Sequence, residues 1–328
     1  MKAVVCKAWG PPESLVFEER PSLQAEPGKV LVSIRAANVK FSDMLIIQNK
    51  YQTKPDLPFI PGSEVSGVVK SVGAGVEGWK VGDRVAAQTG LGGYAEEVLA
   101  EPDRLLAIPQ SVDFNGAAGL ASTYGTSYHA LIDRGQLRAG ETLLVLGAAG
   151  GVGIAAVEIG KILGAKVIAC ASTDEKLAVC RAHGADETIN YASEDLRARI
   201  KSITAGKGID VVYDPVGGPY SELALREIAW GGRLLVIGFT AGDIPKIPLN
   251  LPLLKCASIV GVWIGSFAKR DPARHRANIH ELWKWLAEGR IRPHVWGTYP
   301  LEKAADALNA LAERKVAGKV LLTTGAAQ

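Results

Sequence analysis

The chain has 328 residues, of which 48% are hydrophobic and 22% charged, and its net charge is +3. This length predicts about two domains with cores of their own. The net charge is small and no dense run of Lys or Arg is present, which argues against nucleic-acid binding. The sequence has no run of 18 apolar residues, so no membrane span is predicted. The start, MKAVVCKAWG, does not resemble a signal peptide. The four cysteines are too scattered for a disulfide framework or zinc cluster, so we expect free thiols in a cytoplasmic protein.

The first third of the chain consists of short alternating segments separated by turns rich in Gly and Pro. Four strands are predicted there: Val30–Ala36, Glu64–Val72, Asp83–Ala87 and Tyr94–Leu99. Short strands at this spacing are typical of an all-β unit.

Strands alternate with helices from Asn115 onward. The predicted strands are Leu143–Leu146, Lys166–Ala171, Asp210–Tyr213 and Arg233–Ile237, and the predicted helices are Gly151–Leu163, Asp174–His183 and Tyr220–Ile228. Helices that end at glycine shortly before the next strand indicate βα units and a parallel sheet. The last predicted elements are helices Ala273–Ala287 and Leu301–Ala312 and strand Val320–Thr323.

A glycine-rich segment joins the first of these strands to its helix. It contains the pattern A-x-G-x-x-G, with Ala148 where the dinucleotide fingerprint has its first glycine. Gly150 would let the backbone approach a pyrophosphate, Gly153 would let the helix pack close to the strand, and the helix amino terminus would offer free N–H groups. The predicted contact residues are Ala149, Gly150, Gly151, Val152 and Gly153. The alternative is a tight βα turn that binds nothing.

The next strand ends without the carboxylate that usually binds the ribose 2′-hydroxyl of NAD. Ser172 and Thr173 stand there, and Lys176 follows in the first turn of the next helix. Hydroxyl donors and a cation suit a 2′-phosphate, so the sequence favours NADPH over NADH. The alternative is that Ser172 only caps the helix and Lys176 is an ordinary surface charge.

Seven motifs along nearly the whole chain carry a family resemblance. They are "NVKFSDMLIIQNKYQTKPDLPFIPGSEVSGVV", "GVEGWKVGDRV", "TYGTSYHAL", "GAAGGVG", "ADETINY", "GKGIDVVYDPVGG" and "ERKVAGKVLL". In these the sequence resembles the medium-chain dehydrogenase/reductase superfamily, and within it the zinc-independent quinone oxidoreductases similar to zeta-crystallin. The resemblance implies an α/β fold: a doubly wound Rossmann sheet over 119–259, a GroES-like β domain formed by 1–118 and 260–328, and an active site in the cleft between them.

The positions of the catalytic zinc ligands in related alcohol dehydrogenases carry other residues here. Lys40 and Ser63 stand where those enzymes have Cys and His, and no Cys lies between Gly90 and Pro109 for a structural metal. Neither a charged lysine nor a serine hydroxyl is a useful zinc ligand. His275 and His280 are five residues apart, and we expect both at the surface. The sequence therefore predicts no metal.

The resemblance implies hydride transfer to a small electron-poor acceptor, a quinone or an enone. Tyr51 matches a family tyrosine that lines the acceptor pocket; alternatively it is a packed aromatic residue. The family has Asn where this chain has Lys40, which either stabilises a developing oxyanion or points to solvent. Asp43 is expected to order the local backbone.

The resemblance also implies further cofactor contacts. Ser127 would meet the nicotinamide side and Tyr191 the adenosine end. The nicotinamide pocket would be lined by Gly238, Phe239, Thr240, Trp263, Ile264 and Gly265. Arg314 and Lys319 match a basic motif that would reach the cofactor phosphates, unless they are ordinary surface charges.

Two other functions fit the same sequence. One is an enoyl or acryloyl thioester reductase, with Lys50 and Lys54 as candidates for a basic channel; the other is an NADPH-binding or RNA-binding protein with little turnover. By family analogy we expect a homodimer, with Ile247–Ile264 as an edge strand that pairs with a second subunit or as a buried internal strand.

Overall fold

The computed structural model describes residues 1–325 and divides the chain into two units. The first unit contains Met1–Leu120 and the chain from Val295 onward, and the second contains Ala121–His294. The chain thus leaves the first unit once and returns to it, as the resemblance implies. The return comes at Val295 and not at residue 260, because 260–294 belongs to the second unit.

Fifteen strands are present in the described part of the chain. They are β1 (Lys2–Val5), β2 (Val16–Glu19), β3 (Val30–Val39), β4 (Glu64–Val72), β5 (Arg84–Gln88), β6 (Glu97–Ala100), β7 (Leu105–Ala107), β8 (Thr142–Val145), β9 (Lys166–Ala171), β10 (Glu187–Asn190), β11 (Ile209–Asp214), β12 (Ile228–Val236), β13 (Ser258–Gly261), β14 (Val295–Pro300) and β15 (Lys319–Thr323). All four strands predicted in the first third are found, the last of them shifted to β6.

The α-helices follow in the same order. They are α1 (Phe41–Ile47), α2 (Phe114–Ala117), α3 (Leu120–Tyr128), α4 (Gly151–Ile162), α5 (Asp174–Ala182), α6 (Leu196–Thr204), α7 (Gly218–Arg226), α8 (Asn250–Lys255), α9 (Ile264–Arg270), α10 (Pro272–Ala287) and α11 (Ala304–Ala312). A π-helical turn, His129–Arg134, continues α3, and three short 3-10 turns lie at Pro12–Ser14, Pro102–Arg104 and Leu301–Lys303. Among residues 1–325, no helix is long and apolar enough to cross a membrane.

The first unit is built on a seven-stranded sheet. Its strand order is β14-β15-β3-β4-β5-β7, and β6 pairs with β3. Except for the parallel pair β14–β15, these strands run antiparallel, so alternate residues of β3 and β4 can face a core that includes Val32, Ile34 and Val65. The predicted sheet of short strands is confirmed for this part of the chain, but the unit is not all-β because α1 lies between β3 and β4.

The second unit contains a six-stranded parallel sheet. Its strand order is β10-β9-β8-β11-β12-β13, and every neighbouring pair is parallel. The chain moves outward from β8 to β10 and then returns to place β11 beside β8. This reversal is the switch point of a doubly wound Rossmann sheet, where ligands bind beyond the carboxyl ends of the strands.

The expectation that His275 lies at the surface is wrong. His275 is buried with Ile279 and Leu282 on the inner face of α10, because residues at this spacing share one face of a helix. The spacing between His275 and His280 does not indicate this burial, whereas the apolar residues at positions 279 and 282 do.

Candidate functional site

The glycine loop follows β8 at the switch point of the parallel sheet. Gly147 has φ +58°, and α4 begins at Gly151 after Gly150 as its N-cap. A Cβ on Gly153 would lie 2.4 Å from the Gly147 carbonyl oxygen and 2.7 Å from the backbone of Ala148. The close packing of α4 on the loop therefore requires glycine at position 153, as the sequence predicts.

Gly150 differs from Gly153 because nothing in the described residues requires it to be glycine. Its φ of −74° and ψ of 167° suit any residue, and an added Cβ would come no closer than 3.4 Å to the Gly147 carbonyl oxygen. A missing side chain here leaves open space above the first turn of α4, where unpaired N–H groups point outward. The loop therefore fits an anionic group held close to the backbone, such as a pyrophosphate.

The structure contradicts the prediction that Ser127 faces a nicotinamide. Its side chain is completely buried, and its hydroxyl donates to the Val152 carbonyl oxygen at 2.7 Å. The hydroxyl of Tyr213, at the end of β11, lies 2.9 Å from the Ser127 hydroxyl oxygen, and burial raises the pKa of Tyr213 so that it stays neutral. Ser127 and Tyr213 thus support the first turn of α4 from below.

Asp214, the last residue of β11, is a site residue that sequence reasoning missed. Its carboxylate accepts hydrogen bonds from the N–H groups of Val216 and Gly217 at 2.9 and 2.8 Å and from the Ser221 hydroxyl at 2.5 Å. These bonds fix the turn into α7, next to the glycine loop. The signal was present, since an acid at the carboxyl end of a buried strand before Pro-x-Gly-Gly is typical of such a turn.

The segments predicted to line a nicotinamide pocket lie at the carboxyl ends of β12 and β13. After β12, the Thr240 N–H and hydroxyl both donate to the Pro215 carbonyl oxygen at 3.1 Å, and Phe239 covers Gly217. Gly238 precedes them. After β13, Trp263 is 64% exposed and caps α9, with Gly265 in its first turn.

The end of β9 carries the residues predicted to recognise a 2′-phosphate. Thr173, not Ser172, caps α5: its hydroxyl oxygen accepts from the Lys176 N–H at 3.3 Å. Thr173 also donates to Glu175, so its hydroxyl is used within the helix cap. Ser172 and Lys176 are half-buried beside this cap.

Residues at the end of the next strand contact the start of α5 and the end of β9. Asp174 accepts a hydrogen bond from the Asn190 side chain at 3.0 Å. Tyr191, which follows Asn190, donates its N–H to the Ala171 carbonyl oxygen at 3.1 Å, and its ring packs at a tilt against Tyr220 with ring centroids 4.5 Å apart. Tyr191 therefore lies next to the end of β9, where the sequence predicted an adenosine contact.

In the first unit, Lys40 and Ser63 are in contact. The Lys40 ammonium donates to the Ser63 hydroxyl, and the Lys40 backbone N–H donates to the Asp43 carboxylate at 3.0 Å. Asp43 also accepts from the Tyr94 hydroxyl at 3.0 Å. Burial raises the pKa of the Asp43 carboxyl, and the charge of Lys40 opposes that shift. Asp43 thus orders the start of α1, as expected.

Tyr51 is half-buried and packs against the apolar core of the first unit, and Arg314 is exposed at φ +56°. The structure contradicts the prediction that Lys319 reaches the cofactor phosphates. It is buried, and its ammonium donates to the carbonyl oxygens of Asn115, Gly116 and Ala118 at 3.1, 3.2 and 2.6 Å. All three N–H donors of the lysine are used, so Lys319 is a buried cap on the end of α2 and not a phosphate ligand.

Comparisons with known proteins cover both units. Residues 26–110 match the alcohol dehydrogenase GroES-like domain, and residues 151–288 match the zinc-binding dehydrogenase family. A quinone oxidoreductase-like protein 2 homolog from Nematostella vectensis is 38% identical over 98% of this chain and 89% of its own length. The chain belongs to the medium-chain dehydrogenase/reductase family.

Solved structures of this family agree with the fold. The Escherichia coli quinone oxidoreductase complexed with NADPH has a TM-score of 0.90 and 30% identity, covering 98% of this chain and 100% of that one. An NAD-dependent alcohol dehydrogenase has a TM-score of 0.91 and 31% identity, covering 99% and 100%. Medium-chain dehydrogenases/reductases of both cofactor types are therefore similar to this chain.

Members of the zinc-binding dehydrogenase family can hold a catalytic zinc ion, but the side chains of this chain at the matching positions do not suit one. Lys40 and Ser63 supply an ammonium and a hydroxyl, and neither resembles the thiolate, imidazole or carboxylate donors that hold catalytic zinc. Within residues 1–325, no cluster of three or more His, Cys, Asp or Glu side chains could bind a metal. These residues do not fit the zinc site of a medium-chain dehydrogenase/reductase.

Proposed function

We propose that this protein is an NADPH-dependent reductase that transfers hydride directly, without a metal, to quinones or similar electron-poor acceptors. The observation that carries the proposal is the Lys40–Ser63 contact, because it supplies hydrogen-bond donors and positive charge where zinc enzymes of the family have metal ligands. An acceptor activated by its own carbonyl groups needs positioning and a few donors more than it needs a Lewis acid. Quinone oxidoreductase relatives support this reaction class.

The second unit would hold the cofactor. Free N–H groups in the first turn of α4 suit the pyrophosphate beside Gly150, and Ser172 and Lys176 suit the 2′-phosphate. Similar solved structures that are complexes with NADPH support this cofactor over NADH. Bound NADPH would supply the hydride.

The remaining residues would provide position and charge. Asp214 would keep the turn beside the glycine loop in one conformation through its three hydrogen bonds. Lys40 would stabilise the negative charge that develops on the acceptor oxygen, while Tyr51 would line the acceptor pocket.

The first experiment follows nicotinamide absorbance when chelator-treated protein is mixed with benzoquinone and either NADPH or NADH. We expect rapid oxidation of NADPH, and at least about 10-fold slower oxidation of NADH, since the 2′-phosphate contacts are absent. Equal rates would contradict the phosphate site at Ser172 and Lys176. Absence of turnover with both cofactors would contradict the quinone reductase, and the same assay with an enoyl thioester would then test the other reductase.

We also propose that two copies associate through β13. This strand pairs only with β12 in the described sheet, so its other edge carries backbone groups that a second strand could pair. Exposed apolar side chains surround it, namely Leu249, Leu253, Leu254, Ile259 and Trp263. Such an exposed apolar patch is typical of an interface.

A charge on this face should separate the copies. We expect wild type to have the mass of a dimer by light scattering at micromolar concentration, and I259K to have the mass of a monomer, because it buries an unpaired charge. V81K is the matched control, since Val81 is a similarly exposed apolar residue in the first unit. A monomeric wild type, or a dimeric I259K, would show that β13 is not the interface.

A further inference from the structure

We infer that Lys40 and Ser63 form a two-donor site for a single enolate oxygen, and that the acceptors this site favours are α,β-unsaturated ketones and aldehydes over quinones. The inference rests on the proposed hydride transfer and deepens it by naming the acceptor class. It uses only residues of the first unit.

The contact between Lys40 and Ser63 does not use all of their N–H and O–H donors, so some can bind a ligand. An ammonium has three N–H groups, and the Lys40–Ser63 contact uses one of them. The Ser63 hydroxyl accepts that bond, so its own proton is left to donate elsewhere. Both side chains are only half-buried. One charged and one neutral donor can therefore converge on the same small acceptor atom.

Buried carboxyl groups keep a cation at this position. Asp43, which is 1% exposed, attracts the Lys40 charge and also holds the Lys40 backbone N–H. Glu64, which follows Ser63 in the chain, is 2% exposed and interacts electrostatically with Asp43 and with Lys319. The Lys319 ammonium is fully occupied by three carbonyl oxygens. Lys40 is therefore the member of this group that can offer its charge to a ligand.

Reduction of an enone places charge on one oxygen. The hydride, supplied with its electron pair by the reduced nicotinamide, forms the new C–H bond at the β-carbon. The alkene electrons then shift to form the enolate, whose negative charge lies largely on the carbonyl oxygen. A Lys40 N–H bond breaks as its proton moves to that oxygen, giving an enol that ketonises in water, and the lysine amine recovers a proton from solvent. The nicotinamide is left oxidised.

Quinones depend less on such a donor pair. Their two carbonyl groups and the ring share the incoming charge, so the product anion is delocalised before any donor contacts it. Removal of one donor from an oxyanion site lowers turnover by about 100-fold to 1000-fold when the charge is localised. A lysine–serine donor pair therefore discriminates in favour of the enone.

The test compares cyclohexenone and benzoquinone as acceptors with NADPH. We expect K40M to lower kcat/KM for cyclohexenone by about 100-fold or more and for benzoquinone by less than about 5-fold, with S63A changing both in the same direction but less. K40R should restore part of the enone activity because it keeps the charge. K7M is the matched control, since Lys7 is an exposed lysine of the first unit whose ammonium pairs with Glu18 instead.

The outcomes separate this inference from the proposed function. A wild type that reduces neither acceptor contradicts the proposed function itself. A wild type that reduces benzoquinone but not cyclohexenone, or a K40M variant with equal losses for both, overturns the inference and leaves the reductase intact.

A second readout does not depend on turnover. Para-nitrophenol offers the donor pair one anionic phenolate oxygen, and its ionised form has its own absorbance band. Below the solution pKa of the phenol, we expect wild type and K7M to bind it as the phenolate and K40M not to. Indistinguishable spectra for wild type and K40M, including the absence of a phenolate band in both, overturn the inference.

Discussion

Replacement of Gly150 with alanine should weaken NADPH binding by about 100-fold, which corresponds to about 2.8 kcal/mol, with little change in the thermal unfolding midpoint. The backbone at Gly150 suits alanine, and the added Cβ would come no closer than 3.4 Å to a protein atom. The methyl group would instead occupy the open space above α4, where we propose the pyrophosphate approaches the backbone. Titration calorimetry with NADPH and a thermal melt of the same sample measure both effects.

Gly153→Ala provides the opposite comparison within the same loop. Its Cβ would lie 2.4 Å from a backbone oxygen, so the loop or α4 must move, and we expect a loss of about 3 kcal/mol in the free energy of unfolding. Of these two glycines in one loop, Gly150 would then be required for ligand binding and Gly153 for packing. Unchanged NADPH affinity in G150A would mean that the open space is not where the pyrophosphate binds.

The sequence predicted the second unit well because its signals are local. Apolar runs of four to six residues, glycines at helix ends and the glycine loop mark β8, α4, β9, α5, β11 and β12 within a few residues of their observed bounds. β10 and α6 were missed, since β10 has only four residues and little apolar character. The expectation of one strand over Ile247–Ile264 was wrong, because this stretch contains α8 and only the four-residue strand β13. Their place at the sheet edge depends on pairing with β9.

The predictions failed where a side chain's role depends on residues far away in the sequence. Ser127 lies under α4 because Tyr213, 86 residues later, and Val152 complete its hydrogen bonds. Lys319 caps a helix about 200 residues earlier. A motif can give the type of a residue, but burial and hydrogen-bond partners decide whether it meets a ligand or supports the fold.

Lys40 shows how a departure from a family pattern becomes informative. From the sequence, a lysine at the Asn position of the family had two equal readings, an oxyanion donor or a solvent-exposed charge. The contact with Ser63 and the Asp43 bond to its backbone disfavour a freely solvated side chain. The residues that decide between these readings, Asp43 and Ser63, are within the same quoted motif, but the contact of Ser63 with Lys40 depends on the pairing of β3 with β4 in the first unit.

Replacement of Lys319 with methionine should destabilise the protein without directly weakening NADPH binding. Methionine is similar in size but cannot donate, so three buried carbonyl oxygens lose their partner, at about 1–3 kcal/mol for each unsatisfied group. The substitution also removes the Lys319 charge, which is costly to bury, and this offsets part of the loss. We expect a net loss of about 3 kcal/mol in the free energy of unfolding. Urea denaturation measures it, with K315M as control, because Lys315 is exposed and pairs only with exposed Glu313.

The difference in the free energy of unfolding between wild type and K319M should also change with pH, which gives a second test of the buried lysine. Burial lowers the pKa of Lys319 to about 8 from the ordinary 10.5, although Glu64 and Asp113 oppose the shift. Between these two pH values the unfolded chain binds more protons at this residue than the folded one. The free energy of unfolding of wild type, relative to K319M, should therefore rise from pH 8 to 10.5. If Lys319 were instead an exposed phosphate ligand, this difference would stay flat, and K319M would lose NADPH affinity while its stability at pH 7 stayed that of wild type.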